Sequence, residues 1–171
     1  MNKLKLAYIT GATKGIGKAT AITFANAGWD LILLARNLEM LEKLKVELSN
    51  TQSKINLVKC DLSNSKEVEN SIQKSIKQYG CPSVLINNAG SVFNCNLVEV
   101  PLEKWQEIIQ INLTSIFQIC SLIVPQMRKN GGIIINVSSH ASYNAFPQWG
   151  PYCVSKSALA MLTKCLREEE R

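Results

Sequence analysis

The chain has 171 residues, of which 46% are apolar and 19% charged, a balance that fits one folded domain and excludes a disordered, collagen-like or low-complexity chain. Its net charge of +6 comes from 19 basic and 13 acidic residues that are scattered along the chain. Scattered positives mark a solvated surface and speak against a nucleic-acid-binding face.

In chain order, Leu4–Ile9 reads as a short apolar strand running into a glycine-rich turn and then a helix that stops near Gly28. Leu31–Leu34 is the next strand. Asn37–Leu48 has helical periodicity through Leu38, Leu41, Leu44, Val46 and Leu48. Ile55–Val58 is a strand, and Ser65–Tyr79 a helix with Gly80 as its stop and Pro82 beyond. Val84–Ile86 is a strand, Leu102–Lys129 one long helix ended by Asn130-Gly131-Gly132, Ile133–Val137 a strand and Tyr152–Arg167 the last helix. Short, wholly apolar strands alternating with helices predict an α/β fold: a doubly wound parallel sheet, Rossmann-like, in three α/β/α layers with strand order 3-2-1-4-5. One domain spans residues 1–171. The last strand would then form an open apolar edge, so either more chain follows Arg171 or a partner covers it.

No apolar run approaches the roughly 18 residues of a membrane helix, and no signal peptide opens the chain. A cytoplasmic protein with no membrane partner is expected. One histidine, and six cysteines without a C-x-x-C pair, argue against a zinc site. The cysteines are expected to be reduced and mostly buried.

Thr10-Gly11-Ala12-Thr13-Lys14-Gly15-Ile16-Gly17 stands where the first strand turns into a helix. Glycines there let backbone amides close on a pyrophosphate at the positive end of the helix. An ordinary tight turn is the bland alternative, and the position after the first strand favours the phosphate reading. The second strand ends in Ala35-Arg36, where an NAD-preferring fold usually places a carboxylate for the ribose hydroxyls. An arginine instead can fork onto a 2′-phosphate, with Lys14 adding a second charge, so NADP(H) is expected in preference to NAD(H). Otherwise both are solvated surface cations.

Within the long helix, Trp105, Ile108, Asn112, Ile116, Ile119, Ile123 and Met127 step by three or four and form one buried stripe. Asn112 interrupts it, and a buried amide without partners costs about 1–3 kcal/mol. It is either a structural tie or a site residue. The fifth strand ends in Asn136-Val137-Ser138-Ser139, at the carboxyl end where open α/β sheets bind ligands. Tyr152 and Lys156 are i and i+4 on one helical face. A phenol is too weak an acid to act as a base at neutral pH, and a nearby ammonium favours its phenolate. Alone, this pair could be surface decoration.

Together these residues resemble the short-chain dehydrogenase/reductase family over essentially the whole chain. Residues 10–17 are similar to its T-G-x-x-x-G-x-G motif, Asp61-Leu62 to its adenine-contacting pair and Asn87-Asn88-Ala89-Gly90 to its N-N-A-G. Asn112 matches its helix asparagine, Ser139 and Tyr152 stand at its serine–tyrosine spacing, and Tyr152-x-x-x-Lys156 is intact. The resemblance implies hydride transfer between NADP(H) and a carbonyl or alcohol carbon of a small molecule. Catalytic roles fall to Asn112, Ser139, Tyr152 and Lys156. Tyr152 moves the proton, Ser139 hydrogen-bonds the same oxygen, Lys156 holds the nicotinamide ribose, and Asn112 holds a water. Cofactor contacts are expected from Gly11, Thr13, Lys14, Gly15, Ile16, Gly17, Arg36, Asp61, Leu62, Asn88, Ala89, Gly90, Tyr152 and Lys156. A homodimer or homotetramer is the implied assembly. Family members are longer, and the missing C-terminal part is where substrate choice normally lies. The alternatives are a non-catalytic dinucleotide-binding module or an inactive reductase fragment.

Overall fold

Strands that are apolar on both faces must be covered on both sides, and the chain supplies a helix after each of the first four to do so. The computed structural model describes residues 5–170. Its strands are β1 (Leu6–Thr10), β2 (Asp30–Ala35), β3 (Ile55–Lys59), β4 (Val84–Asn87) and β5 (Ile133–Asn136). They form one five-stranded sheet in the order β3-β2-β1-β4-β5, with all neighbours parallel. Leu4, expected in the first strand, lies outside the described residues.

The helices are α1 (Gly15–Asn26), α2 (Leu38–Glu47), α3 (Ser65–Tyr79), α4 (Leu102–Ile109), α5 (Ser115–Met127) and α6 (Gly150–Glu169). On one face of the sheet, Ala7, Ile9, Leu31 and Leu33 pack with Ala21 and Ala25 of α1 and Leu41 and Leu44 of α2. On the other, Tyr8, Ile32, Leu34 and Leu85 meet Ile72 of α3, Ile119 and Ile123 of α5 and Leu159 of α6. Burying each such aliphatic side chain is worth about 1.5–3 kcal/mol. Two helix starts are fixed locally. The Asn37 side chain accepts from Met40 N–H, and the Asn64 side chain accepts from Lys66 and Glu67 N–H, satisfying amides that have no partner within the helix.

The structure corrects four expectations. The single helix over Leu102–Lys129 is interrupted by a π turn at Gln110–Thr114 and ends at Met127. One extra residue per turn widens the helix where Asn112 points inward, a feature common at functional positions. This helix also exceeds the membrane-length limit that no segment was expected to approach, with a mean hydropathy of 1.6. Half of its most apolar stretch is buried, and Ile116, Ile119 and Ile123 pack on the sheet, as in a core helix. Finally, only Cys60 and Cys120 are buried, Cys81, Cys95 and Cys153 are partly so, and Cys165 is exposed. Cys95 and Cys153 sit beside the carboxyl-end loops rather than on inward faces. The last helix begins at Gly150, two residues before the expected Tyr152. Pro151 fits its first turn, where no backbone N–H is required.

Candidate active site

Parallel strands bring all their carboxyl ends to one rim. In sheet order the rim carries Asp61 beyond β3, Arg36 beyond β2, the glycine turn beyond β1, Asn88-Ala89-Gly90 beyond β4 and Ser139 beyond β5. With strands about 4.8 Å apart, these loops span roughly 20 Å. Sequence-distant candidates are thus brought together by topology alone.

The centre of the rim is rigid. Thr10 is buried, and its hydroxyl oxygen accepts from the N–H groups of Asn88 (3.0 Å) and Ala89 (3.1 Å). In return, Asn88 Nδ2 donates to the carbonyls of Thr10 (3.0 Å) and Gly11 (3.2 Å). Asn88 therefore shapes the glycine turn from behind. Gly11 has φ 65°, and a Cβ there would lie 2.9 Å from Ala89 Cα. A Cβ on Gly17 would overlap the Gly11 carbonyl oxygen and Asn88 Nδ2. Gly15 differs: its φ is 53°, but the place a Cβ would take is open space.

Lys14, Ile16 and Arg36 are exposed and Thr13 is half-buried. Asp61 Oδ1 accepts from both the N–H and the hydroxyl of Ser63, at 2.9 and 2.8 Å. The Leu62 side chain joins the core and its carbonyl accepts from Gln110 Nε2, so it presents no side chain to the rim.

A second cluster joins the loop beyond β4, the π turn and α6. Asn112 is fully buried. Its Oδ1 accepts from Ser91 N–H at 2.8 Å, and its Nδ2 donates to Ser91 C=O at 2.8 Å and to Ser155 Oγ at 3.0 Å. Ser155, itself buried, donates to the Tyr152 carbonyl at 2.7 Å. The Asn112 side chain is a tie between the β4 loop and α6, and its amide has no donor left over for a water.

Lys156 is 3% exposed, and Nζ donates to Val137 C=O at 2.8 Å. Nζ lies 5.7 Å from the centre of the Tyr152 ring, and a Cβ on Gly90 would be 3.8 Å from it. Burial holds the lysine below its ordinary value, because desolvation disfavours the ammonium. Ser139 caps a short 3-10 turn, its Oγ accepting from Ala141 N–H at 3.1 Å, and its own O–H is left to donate. The half-buried Tyr152 packs edge-on against Trp149, ring centres 5.7 Å apart. Ser91 and Ser155 were not singled out from sequence, and Thr10 was quoted only as the first residue of the glycine motif. Ser155 had a signal, since it stands one turn after Tyr152, but the contact with Asn112 is long-range.

This fold, with a glycine turn and helix start at the sheet rim, defines a Rossmann-type nucleotide-binding protein. The chain belongs to the short chain dehydrogenase family, whose model matches residues 5–171. It is 36% identical over 95% of its length to a 3beta-hydroxysteroid dehydrogenase of Mediterraneibacter gnavus, of which it covers 59%. It is 33% identical, over 95% of its length, to an uncharacterized oxidoreductase of Thermotoga maritima, of which it covers 64%. Among solved structures it is similar to the L-sorbose reductase of Gluconobacter frateurii complexed with NADPH and L-sorbose. There the TM-score is 0.92 and the identity 30%, over 96% of this chain and 64% of that one. The chain thus spans less than two thirds of the length of each of these proteins.

Proposed function

We propose that this chain is an NADP(H)-dependent oxidoreductase, preferring NADP(H) over NAD(H), that interconverts a carbonyl and an alcohol on a small molecule. The placement of Lys156 carries this reading. Among the described residues no carboxylate pairs with it, and a buried cation without an anion is costly to stability. Its hydrogen bond to Val137 C=O holds its charge beside the Tyr152 ring.

The residues of the rim fit a dinucleotide. Gly15 offers open space and a left-handed backbone at the start of α1, where the first amides have no helical partner and the helix end is positive. Gly11 and Gly17 admit the close packing that holds that turn in place. Arg36 and Lys14 are exposed and, among the described residues, neither is held in an ion pair. Both are available to a 2′-phosphate. When bound, the nicotinamide would give a hydride to, or take one from, the substrate carbon.

The chain's own residues supply the rest. Tyr152 gives its hydroxyl proton to the carbonyl oxygen in reduction and takes it back in oxidation. Ser139 donates its O–H to the same oxygen and stabilises the charge that develops there. Lys156 keeps a positive charge beside Tyr152 and reaches the ribose side of the rim. Asn112 positions α6 through Ser155 rather than acting on substrate. The same reading includes self-association as a dimer or tetramer, supported by exposed Phe117 on α5 and Val154 and Met161 on α6. It also includes cytoplasmic residence and neither nucleic-acid nor membrane partners.

The test is an NADPH titration of the purified chain followed by turnover of a carbonyl panel. Tyr152→Phe is expected to lower kcat by at least about 100-fold while leaving NADPH affinity within about threefold. A fully active variant removes the proton-donor role. Binding without turnover in the unaltered chain favours a non-catalytic module, and neither favours an inactive fragment.

A further inference from the structure

Beside the proposed proton donor runs a chain of rings. His140 and Phe146 have centres 6.0 Å apart, Phe146 and Trp149 5.5 Å, and Trp149 and Tyr152 5.7 Å. All are tilted or edge-on, the arrangements aromatic quadrupoles favour. Such clusters in a core would be closed to solvent, but Phe146 is 38% exposed and Trp149 36%.

The loop that carries these rings is held in shape. Trp149 N–H donates to Phe146 C=O at 3.1 Å, closing a turn with Pro147 and Gln148 at its corner. Gln148 has φ 66°, the left-handed position that a type II turn requires and that a non-glycine side chain adopts at a cost. The Gln148 carbonyl is tied in turn to Cys95 N–H at 3.0 Å, and Gly150 sits against the Leu97 side chain. Backbone strain is thus retained where it sets Phe146 and Trp149 side by side, next to Tyr152.

Both loops of this wall lack charge. No Asp, Glu, Lys or Arg occurs between Lys129 and Lys156, nor between Lys77 and Glu99. In a chain with 19% charged residues, two uncharged stretches of that length lie side by side, paired through β4 and β5 and touching again at Cys95–Gln148 and Leu97–Gly150. A carboxylate or phosphate packed against these two loops would meet no lysine or arginine of theirs, His140 being their one basic side chain, and much of its desolvation would go uncompensated.

We infer that Phe146 and Trp149 form a substrate wall that selects neutral, ring-bearing ketones and the corresponding alcohols over carboxylated or short aliphatic ones. This rests on the oxidoreductase reading and deepens it. A flat ring packs on Trp149 and Phe146, buries apolar area, and leaves its carbonyl directed along the wall toward Tyr152.

The test is equilibrium binding of three probes to the full chain in the presence of NADP+, read by ligand-observed NMR: 2-acetylnaphthalene, its carboxylated analogue 6-acetyl-2-naphthoate, and 2-butanone. The neutral aryl ketone is expected to bind at least tenfold more tightly than either of the others. Trp149→Ala and Phe146→Ala should each weaken it about tenfold. Trp149→Phe, which keeps a ring, should restore most of that loss. Equal binding of the carboxylated probe, aryl-ketone affinity unchanged in both alanine variants, or no ketone binding at all overturns the wall. An NADPH titration on the same samples separates the two readings. Cofactor bound without ring preference sinks only the wall, whereas ring-selective ketone binding without cofactor affinity sinks only the oxidoreductase.

Discussion

The side-chain amide of Asn112 grips both backbone polar groups of Ser91, accepting from its N–H and donating to its C=O, each at 2.8 Å. A single buried residue in the π turn of the long helix thereby fixes the loop beyond β4, and through Ser155 it also fixes the start of α6. Replacing it with leucine keeps the apolar stripe continuous but strands these partners. Asn112→Leu is expected to lose about 2–4 kcal/mol, seen as a lower urea midpoint with an unchanged slope. A loss below about 1 kcal/mol would mean that water substitutes for the amide.

Gly15 and Gly17 should both lose stability to alanine, but for different reasons and by different amounts. At Gly17 the added methyl meets the Gly11 carbonyl, which is backbone and cannot swing aside. At Gly15 it meets nothing within 4 Å and only the left-handed φ of 53° opposes it. Gly15→Ala is expected to cost about 1–2 kcal/mol and Gly17→Ala at least about 2 kcal/mol. Thermal unfolding of the two variants side by side checks the order.

Arg36→Asp tests the cofactor preference. The residue is exposed and no ion pair among the described residues engages it, so stability should stay within about 0.5 kcal/mol. The ratio of NADPH to NADH affinity should fall at least about tenfold, because a carboxylate repels a 2′-phosphate and accepts from ribose hydroxyls. An unchanged ratio removes Arg36 from the cofactor site.

Alkaline stability should show two opposed contributions. Burial raises the Cys60 and Cys120 thiols from 9.0 to about 11. The unfolded chain therefore loses these protons first, and the stability they contribute is complete below pH 9 and lost as pH rises through about 11. Lys156 is shifted the other way, below 10.5. Its unfolded form holds the proton longer, so stability rises with pH as the folded lysine discharges. In denaturation from pH 8 to 11, the double variant Cys60→Ala/Cys120→Ala should flatten the alkaline decline. Lys156→Met should steepen it by removing the offset. The reverse slopes would mean that these groups are not the ones titrating.

The path of the chain was legible because its signals are local. The helical pattern over Ser65–Tyr79, stopped by Gly80, marks α3 to the residue, and short apolar runs between helices admit little besides a covered parallel sheet. The glycine turn and the Tyr152–Lys156 pair stood out as candidates by short-range spacing, and Ser139 by its spacing to Tyr152. What one dimension could not carry was which groups the Asn112 side chain bonds, and which way Leu62 points. Both depend on partners far along the chain.

By itself, the order of residues determined the strands, the helices and their parallel arrangement, because period and punctuation act over a few residues. Only the tertiary structure decided that Asn112 gives its amide N–H groups to Ser91 C=O and Ser155 and accepts from Ser91 N–H. It alone placed Lys156 in a dry site bonded to Val137 C=O, and it alone lined Phe146 and Trp149 beside Tyr152. Those outcomes turn on which distant groups desolvate one another, a matter of packing in three dimensions.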